Sequence, residues 1–470
     1  MVNYGGDEVS ALVIDIGTSS LRAGYAGDDT PKAIIPTSYG YIDIPQEQQP
    51  SELGGDGDVT MAEGDSATNG NAGPKPDQSE QKKVKLYIGQ NGPSMWREGM
   101  EVANPVANGM ISNFDPIPPL IEHALKEVMR CDPSEHPVLV TEPAWNTPAN
   151  RERMAEIMFE EFHVPAFYIS NTSVLNAFAA GKGSAYVIDI GSSTASVTPV
   201  IDGFVLRRGL GYSSLPQLVH AHAKHLLTAQ NSRRPGIELW PHQLIASRQP
   251  VETGQPPKFE LRQDRIAGTT QKWKDWAEAR EVDEWIQSVS GVLDQGWNEQ
   301  AASARGPRHY EFPTGYSNYF SAAERYSVGE QFFTHSPQLV ASNQNLPKTI
   351  PALISGSLSA CDPEIRQVLM GNVVLTGGGS LFTGFVDRLQ TELSRNFPHV
   401  RATPNMHLPF TTASSYHQAK IHAPGNPTER RYGAWLGGSI LASLGTFHQL
   451  WISREEWEEH GKAIVGQRCK

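Results

Sequence analysis

A five-residue phrase that occurs twice constrains this chain more than any other feature. Val13-Ile14-Asp15-Ile16-Gly17 returns, letter for letter, as Val187-Ile188-Asp189-Ile190-Gly191, 174 residues later. Each copy is an apolar run ending in an acid and a glycine, followed by small hydroxyl residues. These are Thr18-Ser19-Ser20 after the first and Ser192-Ser193-Thr194 after the second. A short apolar run bounded by turn residues predicts a buried strand, and glycine at its end lets the backbone approach a ligand closely. Amides and hydroxyls in such a turn can hold phosphate oxygens, while a carboxylate at the strand end can hold a hydrated cation. A third stretch, Val373-Val374-Leu375-Thr376-Gly377-Gly378-Gly379-Ser380, is another strand running into a glycine turn. One such turn is common in any α/β protein. Two identical copies and a third glycine turn predict two related halves clamping one nucleotide.

The 470 residues allow two or three domains with substantial cores. No apolar run approaches the roughly 18 residues needed to cross a membrane, and the first ten residues lack the apolar stretch of a secretory signal. Cys131, Cys361 and Cys469 are odd in number and far apart, which fits neither a disulfide framework nor a zinc pattern and points to a reducing compartment. The net charge of −12 is unevenly placed: nine acids between Asp43 and Glu80 face Lys75 alone, so eight of the twelve excess charges lie there. Such a balance gives no electrostatic case for direct DNA binding and leaves room for a basic protein partner. Residues 45–82 contain no aromatic residue and little apolar surface, so they are expected to form a disordered acidic loop. That loop reads either as a solvated spacer or as a lure for lysine-rich tails.

Outside the loop the elements are legible. Arg22 to Asp29 predicts a strand returning antiparallel into a polar turn, and Pro31 to Tyr41 continues extended. Val84–Gly89, His136–Thr141 and Val164–Ile169 read as further strands. Thr147 is placed to cap a helix with Pro148 at its first position, and Met154, Ile157, Met158 and Phe162 form its apolar stripe. A shorter helix is expected from Thr172, as its cap, to a glycine stop at Gly181. Residues 226–307 are less regular, with Pro- and Gln-rich loops before a helical run. There Trp273, Trp276, Ala277, Val282, Trp285 and Ile286 fall mostly on one face and read as core. Trp435 to Leu444 is a helix of small residues suited to close packing beside the first half.

Several of these stretches resemble actin. They are Arg22 to Asp29, Ala149 to Met154 with Ile157 to Glu160, and Leu436 to Ser453. Within that family, Tyr4 to Val9, Glu142 to Thr147 and Tyr310 to Tyr316 resemble the nuclear actin-related proteins of the fourth subfamily. The resemblance spans nearly the whole chain, failing over 45–82 and loosening over 226–307. It implies an α/β actin fold, two ribonuclease-H-like domains around a central nucleotide cleft: 1–179 with 433–470, and 180–432. It further implies ATP with Mg²⁺, a nuclear location, and membership in histone acetyltransferase and ATP-dependent chromatin-remodelling complexes. The partners so implied are actin, a long helix of a scaffold or motor subunit, and histones.

Position by position, the resemblance makes Asp15 and Asp189 the acids that hold Mg²⁺ through water. Gly17, Thr18, Ser19 and Arg22 become the first phosphate loop and its cation, with arginine standing where actin has lysine. Gly191, Ser192 and Ser193 become the second loop, Ser192 replacing an acid. Gly377, Gly378 and Gly379 fall near the adenosine, Arg431 beside the base, and Glu284 at a ribose-contacting glutamate. Thr172 stands where actin has the glutamine that positions the attacking water, and Ser196 where it has a supporting histidine. A hydroxyl reaches less far than a glutamine and is no base near neutral pH, and each lost water-activating contact costs about 10²–10⁴ in rate. The expectation is therefore nucleotide binding without useful turnover, in a monomer, since a charged floppy 45–82 loop makes a poor polymer contact. An active ATPase or phosphotransferase on the same fold and a filament-forming cytoskeletal protein are the alternatives.

Overall fold

The computed structural model of the protein describes residues 10–43, 84–231, 234–343, 345–396 and 419–470. The acidic stretch 45–82 therefore lies outside the described residues. In chain order, the strands of the two large sheets are β1 (Leu12–Ile16), β2 (Ser20–Tyr25), β3 (Ala33–Pro36), β4 (Val138–Glu142), β5 (Ala166–Asn171), β6 (Ala185–Ile190), β7 (Ala195–Ile201), β8 (Phe204–Val205), β9 (Gly211–Ser213), β10 (Val373–Thr376), β11 (Ile421–His422) and β12 (Ile452–Ser453). The first sheet runs β12-β5-β4-β1-β2-β3, and the second runs β8-β7-β6-β10-β11 with β9 added to β7.

The two sheets are copies of one plan. In each, the repeated phrase forms the central strand and pairs antiparallel with the strand that follows it, β1 with β2 and β6 with β7. On its other side each pairs parallel with a later strand, β4 in one half and β10 in the other. Both central strands are buried almost throughout, as parallel pairing under covering helices demands. The registers also correspond: Asp15 lies opposite Arg22, and Asp189 lies opposite Ser196.

Six helices carry the main packing contacts: α1 (Pro148–Glu156), α2 (Thr172–Ala179), α3 (Gln271–Val289), α4 (Ala322–Glu330), α5 (Phe385–Asn396) and α6 (Gly433–Ser443), of which α2 and α6 flank the site. Thr147 caps α1 as expected, its side chain accepting from the Asn150 amide at 3.2 Å, and Met154, Ile157, Met158 and Phe162 are buried. The expected cap of α2 is corrected. Asn171, still extended at the end of β5, accepts from the Ser173 amide at 3.0 Å, so Thr172 is the first helical residue and its hydroxyl is not spent on the cap. Gly181 ends this segment at φ +67°.

The chain passes between the sheets after α2 and returns through α6, and these two helices pack backbone to backbone. A Cβ on Gly437 would collide with the Leu175 carbonyl, and one on Gly438 would lie 2.8 Å from Val13 Cγ1. Gly437→Ala is therefore expected to cost about 1–3 kcal/mol by overpacking. Gly466→Ala, which meets nothing within 4 Å inside the helix Ala463–Arg468, should be neutral or stabilising. Urea midpoints of the two variants check this.

Each half has its own core. One gathers β1, β4, β5, α1 and Trp435, and the other gathers β6, β7, Trp285, Phe312, Phe320 and Phe385. A third cluster joins the halves: Met100 and Val102 from one side pack against Leu244, Trp273 and Ala277 from the other, with Trp96, Trp240 and Trp276 around them. Trp273 Nε1 donates to the Pro93 carbonyl at 2.9 Å, and Trp96 Nε1 donates to Thr269 Oγ1 at 2.9 Å. The Gly99 amide donates to the Gly268 carbonyl at 2.8 Å. Thus α3 is core, as its tryptophan spacing predicts, but its first two turns form a seam rather than the core of one domain. Among the described residues no helix is long and apolar enough to cross a membrane.

Candidate functional site

The ends of β1 and β6 bring both copies of the phrase to one place. In the first turn the Gly17 amide donates to the Ser20 carbonyl at 3.1 Å, while the Gly17 carbonyl accepts from Thr37 Oγ1 at 2.6 Å and the Thr18 carbonyl from Asn104 Nδ2 at 2.8 Å. In the second the Gly191 amide donates to the Thr194 carbonyl at 2.9 Å. The turns meet across the halves, where Thr18 Oγ1 and Ser193 Oγ lie 2.8 Å apart. Ser19 and Ser192 stand exposed at the tips. Sequence reasoning placed both turns in one site; the direct hydroxyl contact comes from the structure.

The two carboxylates differ in their surroundings. Asp15 is buried; its Oδ2 is ion-paired to Arg22 Nη1 and its Oδ1 accepts from Thr141 Oγ1 at 2.6 Å. The Arg22 guanidinium lies 5.0 Å from the centre of the Tyr432 ring. Asp189 has the neutral Ser196 opposite it, and among the described residues no side chain bonds to its carboxylate. Burial, and then the charge of Asp15, push its pKa up to about 6, against a smaller lowering by Arg22. One acid is thus neutralised and the other is left with charge to share.

Gly377 sits against this acid at φ +87°. Only glycine fits there, because a Cβ would collide with Asp189 Oδ1 and with the Ile190 carbonyl. A Cβ on Gly379 would press on Ile190 Cγ2, and one on Gly378 would lie 3.8 Å from Nε of the exposed Arg431. The Gly377 amide donates to the Arg430 carbonyl at 2.9 Å, which ties the glycine turn to the segment entering α6. The sequence-predicted residues Asp15, Gly17, Thr18, Ser19, Arg22, Asp189, Gly191, Ser192, Ser193, Gly377, Gly378, Gly379 and Arg431 therefore share one region.

Among the described residues Glu284 makes no hydrogen bond or ion pair to this region. It lines a separate groove with Glu281, His242 and Tyr310. The chain match there is loose, and a slip of one residue turns a helical side chain by about 100°.

Thr37, Asn104, Thr141, Asn176, Thr376 and Tyr432 are additions that sequence reasoning missed. A signal existed for two of them: Val138-Leu139-Val140-Thr141 and Val373-Val374-Leu375-Thr376 are themselves related, each pairing with one copy of the repeated phrase. Thr376 Oγ1 lies 3.0 Å from both Asn176 Oδ1 and the Arg430 carbonyl.

The residues fit a nucleotide with a hydrated divalent cation. The unmatched Asp189 charge, the hydroxyl-bearing turns and the glycine cradle supply cation, phosphate and close-approach contacts. Among the described residues no cluster of three metal-ligating side chains exists, so two carboxylates acting through water are the donor set available. The groups nearest a hydrolytic role are hydroxyls: Ser196 is buried on β7 and Thr172 half-buried at the start of α2.

A duplicated sheet closing two hydroxyl turns and a glycine turn on one spot defines the class of two-lobed, nucleotide-clamping α/β proteins. Residues 6–470 match the family model described as Actin. The chain is 37% identical to "Actin-related protein 4" of Emericella nidulans, covering 99% of this chain and 98% of that one. It is 35% identical to the protein of that name in Mycosarcoma maydis, with 99% of each covered, and 33% identical to that of Arabidopsis thaliana, with 99% and 100% covered. The chain belongs to the actin family, and within it to the actin-related proteins of the fourth subfamily.

Proposed function

We propose that this chain is an ATP-binding, non-hydrolysing structural subunit of nuclear histone acetyltransferase and ATP-dependent chromatin-remodelling complexes. In this reading it pairs with actin on a helix of the scaffold or motor subunit, contacts histones and acts as a monomer rather than a filament. The observation that carries the binding half is the asymmetry of the two acids: Arg22 takes Asp15, while Asp189 has the neutral Ser196 opposite it and, among the described residues, no side chain bonded to its carboxylate.

A bound Mg²⁺ would supply positive charge between the carboxylates and the phosphates. Asp15 and Asp189 would hold its water shell, and the Thr18, Ser19, Ser192 and Ser193 hydroxyls with the turn amides would orient the phosphate oxygens. Arg22, ion-paired to Asp15, would hold that acid in place. Gly377 to Gly379 leave room for the adenosine, with Arg431 at the rim. Ser196 and Thr172 carry no proton acceptor able to activate water near neutral pH. The partner reading is supported by Ile440 on α6 and by Leu444 and Leu450 just beyond it. These are exposed, an apolar strip suited to an amphipathic helix lying in a groove.

Two measurements test this. Denaturing the purified protein after timed incubation with Mg-ATP and separating the nucleotides should return uncleaved ATP after hours; rapid conversion to ADP would overturn the non-hydrolysing reading. Saturating Mg-ATP at about a hundred times its Kd should add about 2.7 kcal/mol of stability, and Asp189→Ala should abolish that gain. Equal melting temperatures with and without Mg-ATP would sink the clamp.

A further inference from the structure

The groove that takes Glu284 holds an acid whose charge the fold leaves unmet. It has a volume of about 520 Å³ and lies between α3 and two hairpins, Ile245–Gln249 with Lys258–Leu261 and Arg308–Glu311 with Ser317–Phe320. Glu281 lines it and is 7% exposed, yet its Oε2 is fully buried and, among the described residues, has no hydrogen-bond partner. A buried acceptor left unmet costs about 1–3 kcal/mol, so its position calls for a donor. Glu284 follows one helical turn later on the same wall, exposed. Burial first, and then the neighbouring Glu284 charge, raise the Glu281 pKa to about 7.

The rim cation does not meet this need. Arg248 is ion-paired to Glu311 at 2.9 Å and donates to the Phe312 and Pro313 carbonyls at 3.4 and 3.3 Å. Arg280, adjacent to Glu281 in sequence, lies over the Trp276 ring, 5.5 Å from its centre, and its charge offsets only part of the rise without bonding to the carboxylate. The opposite wall is aromatic: Tyr310 packs edge-on to Phe312 with ring centres 4.8 Å apart. Carboxylates facing an aromatic wall are the two surfaces that a desolvated ammonium or guanidinium needs.

The groove is also shaped for a chain rather than a small ion. Ile245–Gln249 and Arg308–Glu311 border it, whereas their partner strands do not. Each belongs to a two-stranded sheet, so among the described residues the edge facing the groove carries no strand. Such edges pair readily with an extended peptide.

We propose that this groove binds an extended basic segment of a partner protein, seating one lysine or arginine side chain between Tyr310 and the carboxylates of Glu281 and Glu284. The site needs no nucleotide and is independent of the cleft.

The test uses the full chain and a fluorescein-labelled, lysine-rich twelve-residue peptide, read by fluorescence anisotropy at physiological ionic strength. Glu281→Gln, which keeps side-chain volume, should weaken binding at least tenfold, and the exposed Glu284→Gln should weaken it severalfold without affecting the fold. Glu455→Gln with Glu458→Gln, on the distant helix Arg454–His460, should leave binding unchanged. Acetylating the peptide lysines should abolish it. Equal binding by wild type and both groove variants would overturn the site, assigning the affinity to general attraction by an acidic protein. Binding of spermine, lost in Glu281→Gln, with none of the peptide would overturn the peptide assignment.

Discussion

Trp273→Ala is expected to cost about 3–5 kcal/mol, the range for truncating a buried aromatic residue, and to loosen both sides of the seam between the lobes. Trp273 is 1% exposed and donates to the Pro93 carbonyl from across the seam. Its removal empties the centre of a cluster built from Met100, Val102, Leu244 and Ala277 and also orphans a carbonyl acceptor. A domain holds only about 5–15 kcal/mol in reserve, so the variant should unfold at a clearly lower urea midpoint. The diagnostic is local. Hydrogen exchange should rise in 93–103 and 240–270, the two sides of the seam. Trp285→Ala, of similar cost, removes a ring packed edge-on to Phe320 inside the second half and should leave the 93–103 amides protected. Trp273→Phe should cost less, about 1–3 kcal/mol, chiefly for the lost donor. A Trp273→Ala loss under 1 kcal/mol would mean that the seam does not hold the lobes together. On the clamp reading, the same variant should also release bound ATP faster, because the seam spans the two halves that close on it.

How far the sequence reaches depends on how far apart the interacting residues lie. The repeated phrase was legible because burial of a strand is written in its own apolar run, and the cap at Thr147 because Thr-Pro is a local signal. The cap of α2 was misplaced by one residue: Asn171 and Thr172 are both good caps, and the choice is made by β5, which holds Asn171 extended against Glu142. The assignment of Glu284 to the ribose rested on a loosely matched stretch, where helix phase is set by tertiary packing. The tryptophans of α3 announced a core, but not that this core joins two lobes, since its partners near Met100 lie some 170 residues away. The pairing of Asp15 with Thr141 likewise spans 126 residues. Gly437 carried the one legible long-range hint, because a run of small residues has little reason to exist unless another backbone lies against it.

Arg388→Met is expected to cost about 3–5 kcal/mol for a different reason. Arg388, 1% exposed, bridges two helices: its Nη1 and Nη2 donate to Glu330 at 2.7 and 2.9 Å, and its Nε donates to Glu392 at 2.8 Å. Nη1 also reaches the Gln295 carbonyl at 2.7 Å, and the guanidinium lies 4.7 Å from the centre of the Phe333 ring. Methionine fills most of the volume, so the loss is electrostatic: two buried carboxylates from α4 and α5 remain without their cation. Arg388→Lys should recover only part, since an ammonium cannot serve the bidentate pair and Glu392 together. Arg388→Met combined with Glu330→Gln and Glu392→Gln should recover more than lysine does, because the residual charge is gone. The pH dependence separates this from a packing defect. In Arg388→Met two buried carboxylates stand without their cation, and neutralising them removes that cost. Their protonation then favours the folded state, so the deficit relative to wild type should shrink as pH falls and grow as it rises. Paired urea titrations at several pH values check this. A deficit that stays constant with pH would place the role of Arg388 in its contacts with Phe333 and Gln295 rather than in its charge.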